Sequence, residues 1–270
     1  MNNGAGAYGD LSTRRGKSTR FIPALYHRYV PPVLQTYACY PHNDPVHAAQ
    51  RANVNSTLIG GWGFWGNLAI LSPGDITRIG EVVGLARRTL PAAATATPEV
   101  TGVVGGSPEV YARVRDEEGA GQVIAFSGTA LAHRYGRAGV HTKNVLAVLR
   151  NAYEIHDDSV IIPFTFPMPE ASREAFIVPN DGAGVTILSS TSWLRDARLV
   201  GPDTLRFTPG APGTHRIRWV GRPGVPCVLP GPEVRVRIVG MADDRGTGAG
   251  TLVEIESTTP GSTIVIVRRQ

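Results

Sequence analysis

Gly60-Gly61-Trp62-Gly63-Phe64-Trp65-Gly66-Asn67-Leu68 is the stretch on which the reading of the fold turns. Its glycines let backbone or ligand approach closely, and the aromatics between them present flat faces for stacking. The run opens directly into Ser72-Pro73-Gly74-Asp75, which has the marks of a helix start. Ser72 can cap, Pro73 suits the first helical position, and Asp75 stands three residues after the cap. Ile76, Ile79, Val83, Ala86 and Leu90 follow at helical spacing, so one apolar face docks while Arg78, Arg87 and Arg88 stay in water.

Upstream, Val33 to Tyr40 is a nearly continuous apolar run of strand length that follows the break at Pro31-Pro32. Such a run suits a strand buried on both faces of a parallel sheet. Asp44 can cap a helix that begins at Pro45 and ends near Asn53, after which Thr57-Leu58-Ile59 resumes an extended segment. Residues 21–90 therefore read as strand, loop, helix, strand, aromatic loop, helix, the repeating unit of an α/β barrel or a doubly wound sheet. Before them, Arg14, Arg15, Lys17 and Arg20 lie among Gly, Ser and Asn, and residues 1–20 read as a flexible basic tail.

Downstream, Leu90 to Pro98 has the composition of a linker, and the periodicity changes after it. Glu109 to Arg115 alternates, with Val110, Ala112 and Val114 on one side and Tyr111, Arg113 and Arg115 on the other. Gln122 to Ser127 follows after a Glu/Gly turn, which predicts a hairpin. Further strands are expected at Val145–Leu149, Val160–Phe166, Ala175–Val178, Val185–Ser190, Ala197–Val200, Thr204–Thr208, His215–Val220, Glu233–Val239, Thr251–Ser257 and Ser262–Arg268. Short strands with regular turns indicate an antiparallel sandwich over residues 98–270, which residues 225–270 either complete or leave as a small separate unit.

Composition limits the class of function. The chain has 270 residues, 42% hydrophobic and 18% charged, enough for two globular domains. The net charge of +5 comes from dispersed arginines, so a nucleic-acid partner is not expected. No apolar run reaches the roughly 18 residues needed to span a bilayer, and residues 1–20 lack a signal-peptide core; a soluble protein is expected. Cys39 and Cys227 read as free thiols, and Asn55-Ser56-Thr57 matches the glycosylation pattern.

The candidate substrate contacts are Trp62, Trp65, Tyr40 and Asp44, because sugar rings stack on aromatic faces and α/β strand ends carry binding sites. Asp44 has the second reading of a helix cap. Glycoside hydrolysis needs two carboxylates flanking the bond. Between Phe21 and Leu90 the acidic residues are Asp44, Asp75 and Glu81, of which the last two belong to a helix, so no catalytic residue is assigned. His42 and His47 lack metal spacing, and Asp243-Asp244 beside Gly246 is only a fragment of a calcium loop, so neither metal nor cofactor is expected. Asp157, Asp158, Glu170 and Asp181 read as turn residues.

The segment from Gly60 to Gly80, GGWGFWGNLAILSPGDITRIG, with the helix, linker and β region that follow, resembles the end of the catalytic domain in α-galactosidase-like glycoside hydrolases. The resemblance implies an α+β chain in which residues 21–97 are the last βα units of a (β/α)8-type barrel and an antiparallel β-sandwich follows. It implies an oligosaccharide or glycoside ligand, met by Trp62 and Trp65 at the end of the final barrel strand. Those relatives retain anomeric configuration with two aspartates on earlier strands, and nothing here matches them. The expected role is thus the carboxyl-terminal part of a hydrolase, inactive alone and partnered by an amino-terminal barrel portion. The alternative is a non-catalytic β-sandwich module that binds carbohydrate or serves in adhesion.

Overall fold

The computed structural model describes residues 24, 27–34, 37–39, 48–60, 62–64, 68–129, 131–167, 171–180, 184–220, 225–228, 234–242 and 250–269. The first elements are β1 (Tyr37–Cys39), α1 (Ala48–Leu58), β2 (Trp62–Phe64) and α2 (Pro73–Thr95). Strands follow: β3 (Pro98–Thr101), β4 (Glu109–Arg115), β5 (Ala120–Phe126), β6 (Ala132–Ala138), β7 (Val145–Leu149), β8 (Tyr153–His156), β9 (Ser159–Thr165) and β10 (Ser172–Pro179). The series ends with β11 (Val185–Ser190), β12 (Leu194–Gly201), β13 (Thr204–Pro209), β14 (Gly213–Val220), β15 (Val225–Val228), β16 (Val234–Ala242), β17 (Gly250–Ser257) and β18 (Ile264–Arg269).

The barrel-end expectation is overturned. Among the described residues strands predominate over helix, and the larger sheets are antiparallel. β1 and β2, three residues each, pair in parallel, with Tyr37 opposite Trp62 and Cys39 opposite Phe64. The apolar segments that suggested barrel strands became strand only in part: of Val33 to Tyr40, Tyr37–Cys39 is strand while Val33 and Leu34 belong to a 3-10 turn, and Thr57 and Leu58 end α1. A short apolar run has no periodicity that separates a buried strand from a buried helix, and here the helix won.

Contacts divide the chain into two compact units, the first comprising Met1–Arg115, Gly121–His133 and Phe164–Phe176, the second Asp116–Ala120, Arg134–Pro163 and Ile177–Gln270. In the first, β3, β4, β5 and β10 are successive neighbours in one sheet. The expected capping box opens α2: Ser72 Oγ accepts from the Asp75 amide at 3.1 Å and donates to the Asp75 carboxylate at 2.8 Å. The helix continues through Pro91 to Thr95, so the segment with a linker's composition is helical as far as Thr95. Its buried stripe is Val82, Leu85, Ala86, Thr89, Ala92 and Ala93, rotated from the expected one, and Ile76 is half exposed.

A buried polar clamp fixes α1. Arg51 donates twice to Glu174 of β10, both at 2.9 Å, and Asn55 Nδ2 donates to Glu174 at 2.8 Å and to Ser172 Oγ at 3.0 Å. Gln122 of β5 donates to the Leu58 carbonyl at the helix end, at 3.0 Å. A buried carboxylate is tolerated only with such partners, so the clamp fixes the helix's position as well as its stability. Asn55 is spent inside it and buried, which leaves its glycosylation pattern unusable in the fold.

In the second unit one sheet runs β16-β17-β14-β11-β8-β9-β6 and another β12-β13-β18-β15. The sheets meet through buried side chains: Phe207 of β13 stands edge-on to His215 of β14, with ring centroids 5.3 Å apart. His215 bridges two serines on neighbouring strands, Ser190 at 2.8 Å from Nδ1 and Ser257 at 3.0 Å from Nε2. Burial holds its imidazole neutral, with the pKa lowered to about 4. Among the described residues, no helix is long and apolar enough to cross a membrane.

Candidate ligand-binding site

Glu109, Tyr111 and Arg113 occupy alternate positions on β4 and so share one face of it. The alternation set Tyr111 and Arg113 on the side away from Val110, Ala112 and Val114, and both sides are buried, Glu109 included. Each of the three performs a different task in building one pocket.

Arg113 works beneath the segment 27–30. Its guanidinium donates to the His27 carbonyl and, at 3.0 Å, to the Val30 carbonyl, gripping both ends of a turn whose middle residues are Arg28 and Tyr29. A longer bond of 3.5 Å runs to the carbonyl of Ala96, just beyond α2. His27 adds a second anchor, because its Nδ1 lies 3.0 Å from the Ile59 carbonyl and must carry the proton there. Burial pushes the His27 pKa down to about 4, opposed by that carbonyl and reinforced by the Arg113 and Arg28 cations. The ring is therefore neutral at pH 7. Burial also lowers the Arg113 pKa from its ordinary value.

Glu109 works beneath the loop between β3 and β4, its carboxylate accepting from the Gly105 amide at 2.6 Å. The loop is pinned again where Ser107 Oγ meets Ser127 Oγ at 3.0 Å and where the Gly128 amide reaches the Gly106 carbonyl at 2.9 Å. Gly102 has φ +79°, and a β-carbon there would come within 2.0 Å of the Pro108 carbonyl oxygen. Only glycine can occupy that corner without displacing the backbone.

Tyr111 lies between the two supports, its hydroxyl donating to Glu109 at 2.8 Å and its ring edge-on to His27 at 5.5 Å. Above it is a pocket of 380 Å³ lined by Ala24, Arg28, Tyr29, Val100, Val103 and Val104, together with Gly102 and Tyr111 itself. That volume falls in the ordinary range for small-molecule sites. Tyr29 is 76% exposed and Val103 72% exposed, one on each supported segment. The arrangement offers an aromatic face, apolar wall and a guanidinium, on backbone fixed before any ligand arrives. No carboxylate is among the described lining residues.

The residues nominated from sequence stand differently. Trp62 lies on β2, opposite Tyr37 of β1, though its side chain is outside what the structure describes. Trp65, Tyr40 and Asp44 lie outside the described residues; Tyr40 and Trp65 directly follow Cys39 and Phe64, the last paired positions of the two strands. Of the acidic residues assigned to turns, Asp157 and Asp158 are exposed between β8 and β9, while Glu170 and Asp181 lie outside the described residues, as do Asp243 and Asp244 of the calcium-loop fragment. No group of three or more His, Cys, Asp and Glu side chains converges among the described residues. The pocket itself escaped the sequence reading because its walls come from three separated segments, and no local pattern marks a row of buried polar residues on an alternating strand.

No family model and no curated protein matches the chain. Among solved structures it has a weak likeness to a rhamnosidase from Novosphingobium sp. PP1Y, a glycoside hydrolase, at 11% identity and a TM-score of 0.19. The match covers 83% of this chain and 29% of that one, and a score of that size defines no common fold.

Proposed function

We propose that the chain binds a small carbohydrate in the Tyr29 pocket and does not hydrolyse it. The observation that carries this reading is the lining: an exposed tyrosine face beside Arg28 and the wall of a pinned glycine loop, with no carboxylate among the described lining residues. A sugar ring has an apolar face that packs on an aromatic, and hydroxyls that accept from a guanidinium. Hydrolysis would need a pair of acidic groups across the bond, and Glu109 is instead committed to the Gly105 amide and the Tyr111 hydroxyl. The resemblance of residues 60–80 to a glycoside hydrolase family supports the ligand class.

The β1–β2 register favours a second contact. Pairing of Tyr37 with Trp62 gathers aromatic positions on two adjacent strands, and on this reading Trp62, Trp65, Tyr40 and Asp44 extend the sugar site. An array of neutral oligosaccharides probed with the whole chain tests the proposal. Retention of at least one glycan is expected, with Tyr29→Ala weakening it by about tenfold at unchanged melting temperature. Retention of none, or full retention by Tyr29→Ala, would remove the pocket from the account.

A further inference from the structure

We infer that the sugar of the proposed Tyr29 site bears one negatively charged group, a carboxylate or a phosphate, that Arg28 receives, which presupposes that the pocket is the sugar site. Arg28 is the one charged side chain among the described residues that line the pocket. It is exposed, and no hydrogen bond or ion pair engages its guanidinium among the described residues. Its place is fixed all the same, because the turn that carries it is gripped at the His27 and Val30 carbonyls.

Nothing described nearby cancels that charge. Arg113, gripping the turn from below, spends its guanidinium on the neutral carbonyls of His27, Val30 and Ala96. Its Nε is buried without a partner, so a second cation stands beneath the turn with no carboxylate against it among the described residues. The described charges that act on the buried His27 ring are these two, and both disfavour its protonated form. Two acids lie close by in the chain, and neither serves Arg28. Glu109 already accepts from the Gly105 amide and the Tyr111 hydroxyl. Glu99 pairs with Ala112 in the register of β3 and β4 while Val100 pairs with Tyr111, so alternation turns Glu99 to the face away from the pocket.

The rest of the lining limits what can carry the negative charge. Ala24, Val100, Val103 and Val104 are apolar, and a ligand with several charges would have to press some of them against these side chains. One guanidinium offers its fork to one group of anionic oxygens. The Tyr29 ring gives the uncharged body of a sugar a face to pack on. A pocket of 380 Å³ takes a small ligand of this kind. Sugar acids and sugar phosphates both meet these conditions, since each presents the same kind of oxygens to the fork.

Ligand-observed NMR titrations of the whole chain with galactose, glucose and mannose, the matching uronic acids and the matching 6-phosphates test the charge. At least one acid or phosphate is expected to bind about tenfold or more tightly than its neutral parent, with the difference shrinking as salt is added. Preference for one of the two charged sets names the group. Arg28→Gln should erase the difference, and Arg28→Lys, which keeps the charge, should retain most of it. Tyr29→Ala should weaken parent and charged sugar together. Equal binding of charged sugar and parent, or a preference that Arg28→Gln leaves intact, would overturn the charge and leave the pocket standing; binding of no sugar in any set would overturn both.

Discussion

Arg113 and Glu109 act on backbone groups beneath the pocket, so their replacement should disturb the site without removing a ligand contact. Arg113→Met takes away the donors that hold the His27 and Val30 carbonyls. Hydrogen bonds from a charged donor are worth about 2 kcal/mol each, and the orphaned carbonyls add to the loss. Urea denaturation should show a stability deficit of about 3 kcal/mol, with glycan affinity falling as well; a variant with unchanged stability and affinity would mean that the turn needs no support. His27 and His215 make a second prediction at this scale. Both have pKa values lowered by burial from 6.5 to about 4. Between those values the unfolded chain binds more protons than the folded one, so stability is greatest above pH 6.5 and declines as pH falls toward 4. The decline amounts to about 3 kcal/mol per histidine. Denaturation midpoints measured from pH 7 to pH 4.5 should fall steadily, and a flat profile would contradict the neutral, buried state of both rings.

At the scale of elements, the loop from Gly102 to Pro108 is the part most sensitive to one added carbon. Gly102→Ala meets both a positive φ and a β-carbon 2.0 Å from the Pro108 carbonyl oxygen. The expected cost is about 2 kcal/mol, with a matching loss of glycan binding because Val103 and Val104 move with the loop. Thermal melts beside a binding assay check it; Gly80→Ala, which meets nothing within 4 Å in exposed α2, is the control expected to do no harm. Which elements the sequence revealed follows from the same physics. β4, β7, β11 and β14 were legible because their runs combine β-branched residues with flanking turns. β6, with the sequence AHRYGRA, ends its sheet and keeps only Tyr135 buried, so it carries no apolar alternation to read. β3 ends the other sheet in the same way, and β8 alternates in burial over four residues only. The rotation of the α2 stripe has a comparable cause: Thr89 and several alanines, which carry little hydrophobic signal, form most of its buried side.

At the scale of the whole molecule, the antiparallel character of the larger part was visible in turn chemistry and alternation, and the barrel was not the right frame for the rest. Three-residue parallel strands are too short for the runs that suggested them, and α1 absorbed the segment expected to extend the second. The site was less legible than the fold. Trp62 and Trp65 attract notice because they sit together in sequence, whereas Tyr29, Val103 and Tyr111 are far apart in sequence and come together through contacts such as those of Arg113 and Glu109 with distant backbone. On the proposed reading, this pocket binds carbohydrate and leaves it intact. Calorimetric titration of the whole chain with the best array glycan, followed by mass analysis of the recovered sugar, tests it most directly. Saturable binding at one site is expected, with loss of affinity in Tyr29→Ala and unaltered glycan after prolonged incubation; cleaved glycan, or binding that Tyr29→Ala does not touch, would be the opposite result.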